Sequence, residues 1–562
     1  MVKSKMVKSR EIYDTNANTI KLRQSRWLTR GFVLLWFAIT AFLLFGQSLG
    51  YDYTYLDDQS LVLNSMNRIS HMSYIPETFK EDAFHSPPGN RFYYRPLLTT
   101  SFIFDSIAGQ GKFSMFHFSN ILYHLLATFL LFLFLTELGY DRLKSFLFAL
   151  IFLVHPVITQ TVAWVPGRND TLLAVFVLTS FLSFLKYLRS NFTPVLILHF
   201  LFFTLALFTK ETVIVLPLLL FVYGLLIYHK PFVKMVVMGV IWVLIASIWL
   251  IIRYHALGDS HGYTIRETLI PFIGNLPGIF PFLGKSLFPF RLSVSPVMSD
   301  MKVSFLLGLL ATGILGFMLF LTKSRRWVYF IFAALWFILF LLPSLLTNNP
   351  KVITNYSEHR YYLPLMGIII FIQECDPVRK VRVNKILSWS LIIVVLFFAV
   401  LTFSHMQYFK DKIVFWQNAV STSPSNAFNY NNLGAMYFLN QDLGKAEIYF
   451  RKAVEINPFE PKANGNIGLI CMRTGRAFEA EKYYLEEIRI NPEYDDVYCN
   501  FGLLCYNTAR ADEAIKLWEK TLIINPCYAD AYHDLMIAYY RLKRKDDYQR
   551  IALLAEKNGI HP

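Results

Sequence analysis

The chain has 562 residues, 55% of them hydrophobic, and a formal net charge of +15. That apolar content excludes one ordinary soluble domain. The basic excess falls in short segments between apolar runs, which is the pattern of membrane topology and argues against a nucleic-acid partner. Five cysteines in no metal-ligand spacing argue for buried thiols, with Cys471 and Cys505 one repeat apart.

Residues 1–30 are basic and polar and read as a cytoplasmic segment. The apolar run Gly31–Leu49 has no small-residue cleavage site after it, so it is expected to be an uncleaved anchor. A bilayer is crossed by about 20 apolar residues, and on that measure about eleven spans are expected. They lie near 31–49, 115–137, 145–163, 170–188, 194–209, 211–228, 235–253, 303–321, 327–346, 362–373 and 386–404. The apolar stretch 270–289 is interrupted by Pro271, Gly274, Pro277, Gly278 and Pro281, and reads as re-entrant or interfacial, or as part of an extra pair of spans. If the spans alternate, Arg142 and Lys144, Lys186 and Arg189, Lys230 and Lys234, Lys323, Arg325 and Arg326, and Arg379 to Lys385 share one side with the basic N-terminus. That side is the cytoplasm. Loops 50–114, 164–169, 254–302 and 347–361 are then exoplasmic, as is everything after 404.

Polar residues gather in the exoplasmic segments. At membrane depth such groups are costly and point to function. The first loop, 50–114, opens with Tyr55-Leu56-Asp57-Asp58, two carboxylates suited to a general base or to a divalent cation, or to a solvated helix cap. It closes with Tyr93-Tyr94-Arg95-Pro96, an arginine between aromatics that suits a phosphate or an interfacial anchor. His117, Asn120 and His124 share one helix face. Further on come His155-Pro156, Gly167-Arg168-Asn169-Asp170, Thr209-Lys210-Glu211 and Glu358-His359-Arg360-Tyr361-Tyr362. Cations for a phosphate, a carboxylate base and spans open to lipid fit glycosyl transfer from a lipid-phosphate sugar to a hydroxyl. No Gly-rich nucleotide loop is seen.

After the last span, prolines recur at 424, 458, 492 and 526, each step being 34 residues. Leu433-Gly434, Ile467-Gly468 and Phe501-Gly502 match, as do Ala446, Ala480 and Ala514, and Phe450, Tyr484 and Trp518. This is the tetratricopeptide-repeat (TPR) pattern, in which small residues let paired helices approach and aromatics fill the gap. Repeats are expected near 427–460, 461–494, 495–528 and 529–562, the last an atypical cap with Met536 for glycine and Tyr548 for alanine. Glu487 stands where the first repeat has Ala453, which suggests looser packing there. Such arrays offer a groove for protein or peptide, or serve self-association.

The segments YLDDQSLVLN (55–64), YRPL (94–97), FHFSNILYH (116–124), HPVITQTVAWVPGRND (155–170), TKE (209–211) and EHRYYLP (358–364), followed by TPRs, resemble the transmembrane and tetratricopeptide-repeat-containing (TMTC) O-mannosyltransferases and their bacterial relatives. The resemblance implies an all-α architecture, with a GT-C-like membrane domain over 31–406 and an exoplasmic TPR α-solenoid over 407–562. It implies a polyprenyl-phosphate sugar donor, typically dolichyl-phosphate mannose, and Ser or Thr of proteins as acceptor. It also implies a catalytic acid in the first exoplasmic loop, here Asp57 or Asp58. Donor phosphate and substrate would then fall to Arg95, His155, Arg168, Asp170, Lys210, Glu211, Glu358, His359 and Arg360. The membrane would be a bacterial inner membrane, or the endoplasmic reticulum in a eukaryote. No cofactor is implied, and a divalent cation stays open. The alternatives are a lipid-diphosphate-dependent oligosaccharyltransferase or O-antigen ligase, and a non-enzymatic TPR membrane scaffold.

Overall fold

The structure, a computed structural model, describes residues 28–86, 91–258, 265–346, 356–380 and 385–560. The basic segment before residue 28, Arg382 and most of the loop 347–361 lie outside the described residues. Among the described residues the chain is helical, without a β-strand. It divides into two compact units between Val414 and Phe415.

The first unit is a multi-pass membrane protein. In hydrocarbon every backbone polar group must be satisfied within its own segment, so apolar runs of this length fold as helices. Among the described residues seven helices are long and apolar enough to cross: Arg30–Gly50, Phe113–Glu137, Val165–Ser190, Phe232–Leu257, Lys302–Leu321, Trp327–Leu345 and Ser388–Phe409. Two of them form the centre. Phe113–Glu137 and Val165–Ser190 are 61% and 72% buried by protein, against 22% for Phe232–Leu257 and for Lys302–Leu321, whose outward faces are apolar.

The other four of the eleven expected spans are bent or short for local reasons. The run expected to span 145–163 is helical over Arg142–Leu153 and Pro156–Ala163, with a 50° bend between them. Pro156 has no N–H to continue the first helix and disfavours helical backbone before it. Counted as one broken span, the pair makes eight. Thr193–Thr209, Glu211–Ile227 and Tyr362–Glu374 are apolar but shorter. The stretch 270–289 forms Ile265–Asn275, the turn Leu276–Gly278 and Ile279–Leu287. The last of these presses on Lys302–Leu321 through glycines: a Cβ on Gly308 would overlap the Phe280 carbonyl, and one on Gly284 would stand 2.6 Å from the Ser304 carbonyl oxygen.

The second unit begins within the helix Lys412–Thr422 and continues as four helix pairs: Ala427–Leu439 with Leu443–Ile456, Ala463–Arg473 with Ala477–Ile490, Asp495–Asn507 with Ala511–Ile524, and Ala529–Arg541 with Lys545–Lys557. The matched glycines meet the matched aromatics. A Cβ on Gly434, Gly468 or Gly502 would lie 2.6–2.7 Å from the rings of Phe450, Tyr484 and Trp518 respectively. Glu487 does not loosen the second repeat. Its buried carboxylate accepts from the backbone N–H of Lys462 (2.8 Å) and Gly465 (3.2 Å), tying down the N-terminus of Ala463–Arg473, whose first donors have no helical partner. Cys471 and Cys505 are buried free thiols.

Candidate active site

The polar segments come together at one end of the membrane helices, where residues 51–112 lead from the first helix into Phe113–Glu137. Within Tyr55-Leu56-Asp57-Asp58, Tyr55 adopts a left-handed conformation (φ 59°), which strains a residue with a Cβ. Asp58 holds that turn. Its buried carboxylate accepts from the Thr54 N–H (2.7 Å), the Thr54 hydroxyl (3.0 Å) and the Leu56 N–H (2.9 Å). Burial raises the Asp58 pKa, and these bonds oppose the rise.

Asp57 is different. It is half-buried, and among the described residues its carboxylate accepts no hydrogen bond. Burial, reinforced by the neighbouring Asp58 charge, raises its pKa to about 6 against the pull of Arg95 and Arg360. A carboxylate with open lone pairs that titrates near neutrality is equipped to take a proton.

Two of the cations in this region, Arg95 and Lys210, are held by ion pairs. Arg95, preceding the proline that starts Pro96–Gly109, pairs with Glu211 (2.8 Å) and lies 4.6 Å from the Tyr93 ring centroid. With the Asn169 amide turned to donate to the Thr209 carbonyl, its oxygen accepts from Arg95 at 3.0 Å. Lys210 donates to Asp170 at 2.7 Å, and the other oxygen of Asp170 is buried without a partner. Arg360 donates to the Ser344 carbonyl (2.8 Å) and is close enough to Asp57, Asp170 and Arg95 to feel their charges. His359 packs against Trp164, with ring centroids 5.3 Å apart. Burial, and then the charges of Lys210, Arg360 and Arg95, keep its imidazole neutral with a pKa well below the ordinary histidine value. Asp57, Arg95, Asp170, Lys210, Glu211 and Arg360 therefore form one charged cluster, with the neutral His359 beside it.

Three expected substrate contacts are elsewhere. Arg168 is fully buried. It pairs with Asp105 (2.5 Å), donates to Asn120 (2.9 Å) and the Phe116 carbonyl (2.6 Å), and lies 4.6 Å from the Phe102 ring centroid. With these donors committed to protein, it acts as a strut rather than a phosphate ligand. Glu358 is equally buried, accepting from Lys285 (2.7 Å) and the Ser293 N–H (3.0 Å), with His405 at 3.6 Å. Its own N–H, like that of His359, donates to the Gln160 side chain. His155 caps the bend: Nδ1 accepts from the Val157 N–H and Nε2 meets the Ser286 carbonyl (3.1 Å). Of the histidines on Phe113–Glu137, His124 bridges Tyr362 (2.7 Å) and the Leu153 carbonyl. Asp105, Lys285 and His405 are partners that sequence reasoning missed. Each is an ionisable residue inside an apolar run, and that was the available signal.

A divalent cation prefers six or more oxygens. Among the described residues near Asp57, the open carboxylate oxygens are its own and one from Asp170, so the two adjacent aspartates do not make a ready cage. Glu447, Cys471 and Glu479 group closely enough to hold an ion, but both glutamates are paired with Arg451 and Arg476.

Known proteins share these features in part. The Tetratricopeptide repeat family matches residues 427–459. Tmtc1 of Drosophila melanogaster, a protein O-mannosyl-transferase, is 29% identical over 177 residues, which is 31% of this chain and 20% of that protein. Mouse TMTC3 and TMTC2, also named protein O-mannosyl-transferases, are 32% and 30% identical over 134 and 153 residues. Those stretches cover 23% and 26% of this chain, and 14% and 17% of the relatives. The chain is a relative of the TMTC proteins. The matched stretches span a fifth or less of the length of those relatives. Among solved structures, MamA (22% identical, TM-score 0.25) and the TPR protein YrrB (19%, 0.23) each match 26% of this chain, over 86% and 76% of their own lengths.

Proposed function

We propose that this chain is a GT-C-type membrane glycosyltransferase that moves mannose from a polyprenyl-phosphate carrier to Ser or Thr hydroxyls of proteins on the exoplasmic face. The observation that carries the proposal is Asp57, a half-buried carboxylate with open lone pairs beside Arg95 and Arg360, with Lys210 near Arg95. The names of the TMTC relatives support the reaction class.

In this reading Asp57 takes the proton of the acceptor hydroxyl as its oxygen attacks the anomeric carbon. The bond from that carbon to the phosphate oxygen breaks, and the phosphate leaves with its charge facing Arg360, Lys210 and Arg95. Asp170 and Glu211 hold two of those cations in place. A neutral His359 adds a ring without adding charge. Asp58 positions Asp57 by fixing the turn, and the TPR groove holds the acceptor protein.

The donor decides between this reading and the alternatives. Purified protein in lipid-supplemented detergent is given polyprenyl-phosphate mannose, polyprenyl-phosphate glucose or a polyprenyl-diphosphate oligosaccharide, with an exoplasmic protein fraction as acceptor. Transfer from the monophosphate mannose donor is expected. Transfer only from the diphosphate donor identifies an oligosaccharide ligase, and transfer from none leaves the scaffold.

A further inference from the structure

A second charged site lies at the opposite end of the same helices. Phe113–Glu137 begins beside the Asp57 cluster. Past its other end, residues 139–144 meet 323–326 and 373–379 around a cavity of about 650 Å³. Lys144, Lys323, Arg325, Arg326 and Arg379 line it, with Asp141 as the one acid among the lining residues. Asp141 caps Arg142–Leu153 through the N–H groups of Leu143 and Lys144.

Part of this charge is already engaged. Arg326 and Arg379 pair with Glu374, Arg379 also with Asp376 (2.8 Å), and Lys144 donates to the carbonyls of Val378 and Arg379. These contacts shape the wall. Lys323 and Arg325 remain exposed, and neither forms an ion pair among the described residues. Inside the cavity, Gln373 is 1% exposed, and both polar atoms of its amide lack a hydrogen-bond partner among the described residues. A buried amide is ordinarily satisfied, so this one marks a place for a polar ligand group. Next to the lining residues, Phe320, Leu321 and Trp327 are exposed at the ends of two membrane helices.

We propose that this cavity binds an anionic phosphate group, that of a phospholipid headgroup whose acyl chains lie along Phe320, Leu321 and Trp327. Lys323 and Arg325 meet the phosphate charge and Gln373 donates to its oxygens. Basic pockets between membrane helices suit such headgroups, each Lys or Arg near the surface strengthening binding by about fivefold. Inorganic phosphate shares the chemistry and lacks the chains.

The test uses the full chain in neutral detergent. Thermal protection is measured with phosphatidylglycerol, with phosphatidylcholine and with inorganic phosphate, for wild type, for Lys323→Gln/Arg325→Gln and for Gln373→Leu. Phosphatidylglycerol should protect wild type, and the double variant should need roughly 25-fold more of it. Its unliganded midpoint should be unchanged, because the two side chains are exposed. Gln373→Leu should keep its fold and lose protection in part. Protection by inorganic phosphate equal to that by lipid would retain the phosphate site and assign it a soluble ligand. Equal protection of wild type and double variant, or no protection by either anion, would overturn the proposal. None of these readouts depends on glycosyl transfer.

Discussion

Asp58→Asn separates the two adjacent aspartates. The substitution keeps side-chain size but puts one oxygen and one NH2 where the Thr54 N–H, the Leu56 N–H and the Thr54 hydroxyl converge. Either amide orientation sets its NH2 against a backbone N–H. Orphaning one buried donor costs about 1–3 kcal/mol, and weakening the remaining charge-assisted bond adds about 1 kcal/mol. Loss of a charge that burial disfavours offsets part of this, leaving a destabilisation of about 2 kcal/mol. Thermal unfolding in detergent, followed by tryptophan fluorescence, should show a midpoint lower by a few degrees. Transfer should fall because the turn that presents Asp57 relaxes. Asp57→Asn breaks no hydrogen bond and removes a charge whose burial is unfavourable, so its midpoint should be unchanged or higher. Its transfer should fall by about 10²–10⁴-fold, the usual contribution of a general base. An Asp58→Asn protein with a wild-type midpoint and no transfer, beside an active Asp57→Asn, would reverse the two roles and refute the reasoning.

Transfer and stability should run in opposite directions with pH. With its pKa raised to about 6, Asp57 becomes a competent base only as pH rises through that value, so transfer should rise with a midpoint near it. The raised pKa means that the native state binds this proton more tightly than the unfolded chain, so the stability contributed by the group is lost between about pH 4 and pH 6. A transfer profile flat from pH 5 to 8 would exclude Asp57 as the base. Asp105→Asn should destabilise by about 3–5 kcal/mol, because it leaves the Arg168 charge buried without its partner. Arg168→Met with Asp105→Leu should recover much of that loss in the same unfolding assay. Gly468→Val should destabilise the repeat unit by at least about 1–3 kcal/mol, since Tyr484 already occupies the space a Cβ needs. Membrane insertion should be unaffected, and intact folding of the variant would contradict the packing described.

Much of the fold could be read directly because hydrophobicity and period leave few options. The repeat unit follows from a glycine and an aromatic spaced to meet, and Gly434, Gly468 and Gly502 do meet Phe450, Tyr484 and Trp518. The bend at His155 was harder to foresee, since the apolar run continues through Pro156 and only backbone geometry breaks it. In the site, the charged residues are legible in the sequence but their pairing is not. Arg168 and Arg95 look alike as basic residues near a membrane surface. What separates them is Asp105, which buries Arg168 in protein, while Arg95 is held beside Asp57 by Glu211. Glu358 adjoins His359 and Arg360 in sequence, but Lys285 arrives from a proline-broken stretch and takes its carboxylate into the core.

The most direct test of the central claim is single-turnover transfer of radiolabelled mannose from polyprenyl-phosphate mannose to protein acceptor, by wild type and by Asp57→Asn with matched unfolding midpoints. Wild type should label Ser or Thr, and the variant should lose at least about 10²-fold. Equal labelling by both proteins would contradict it.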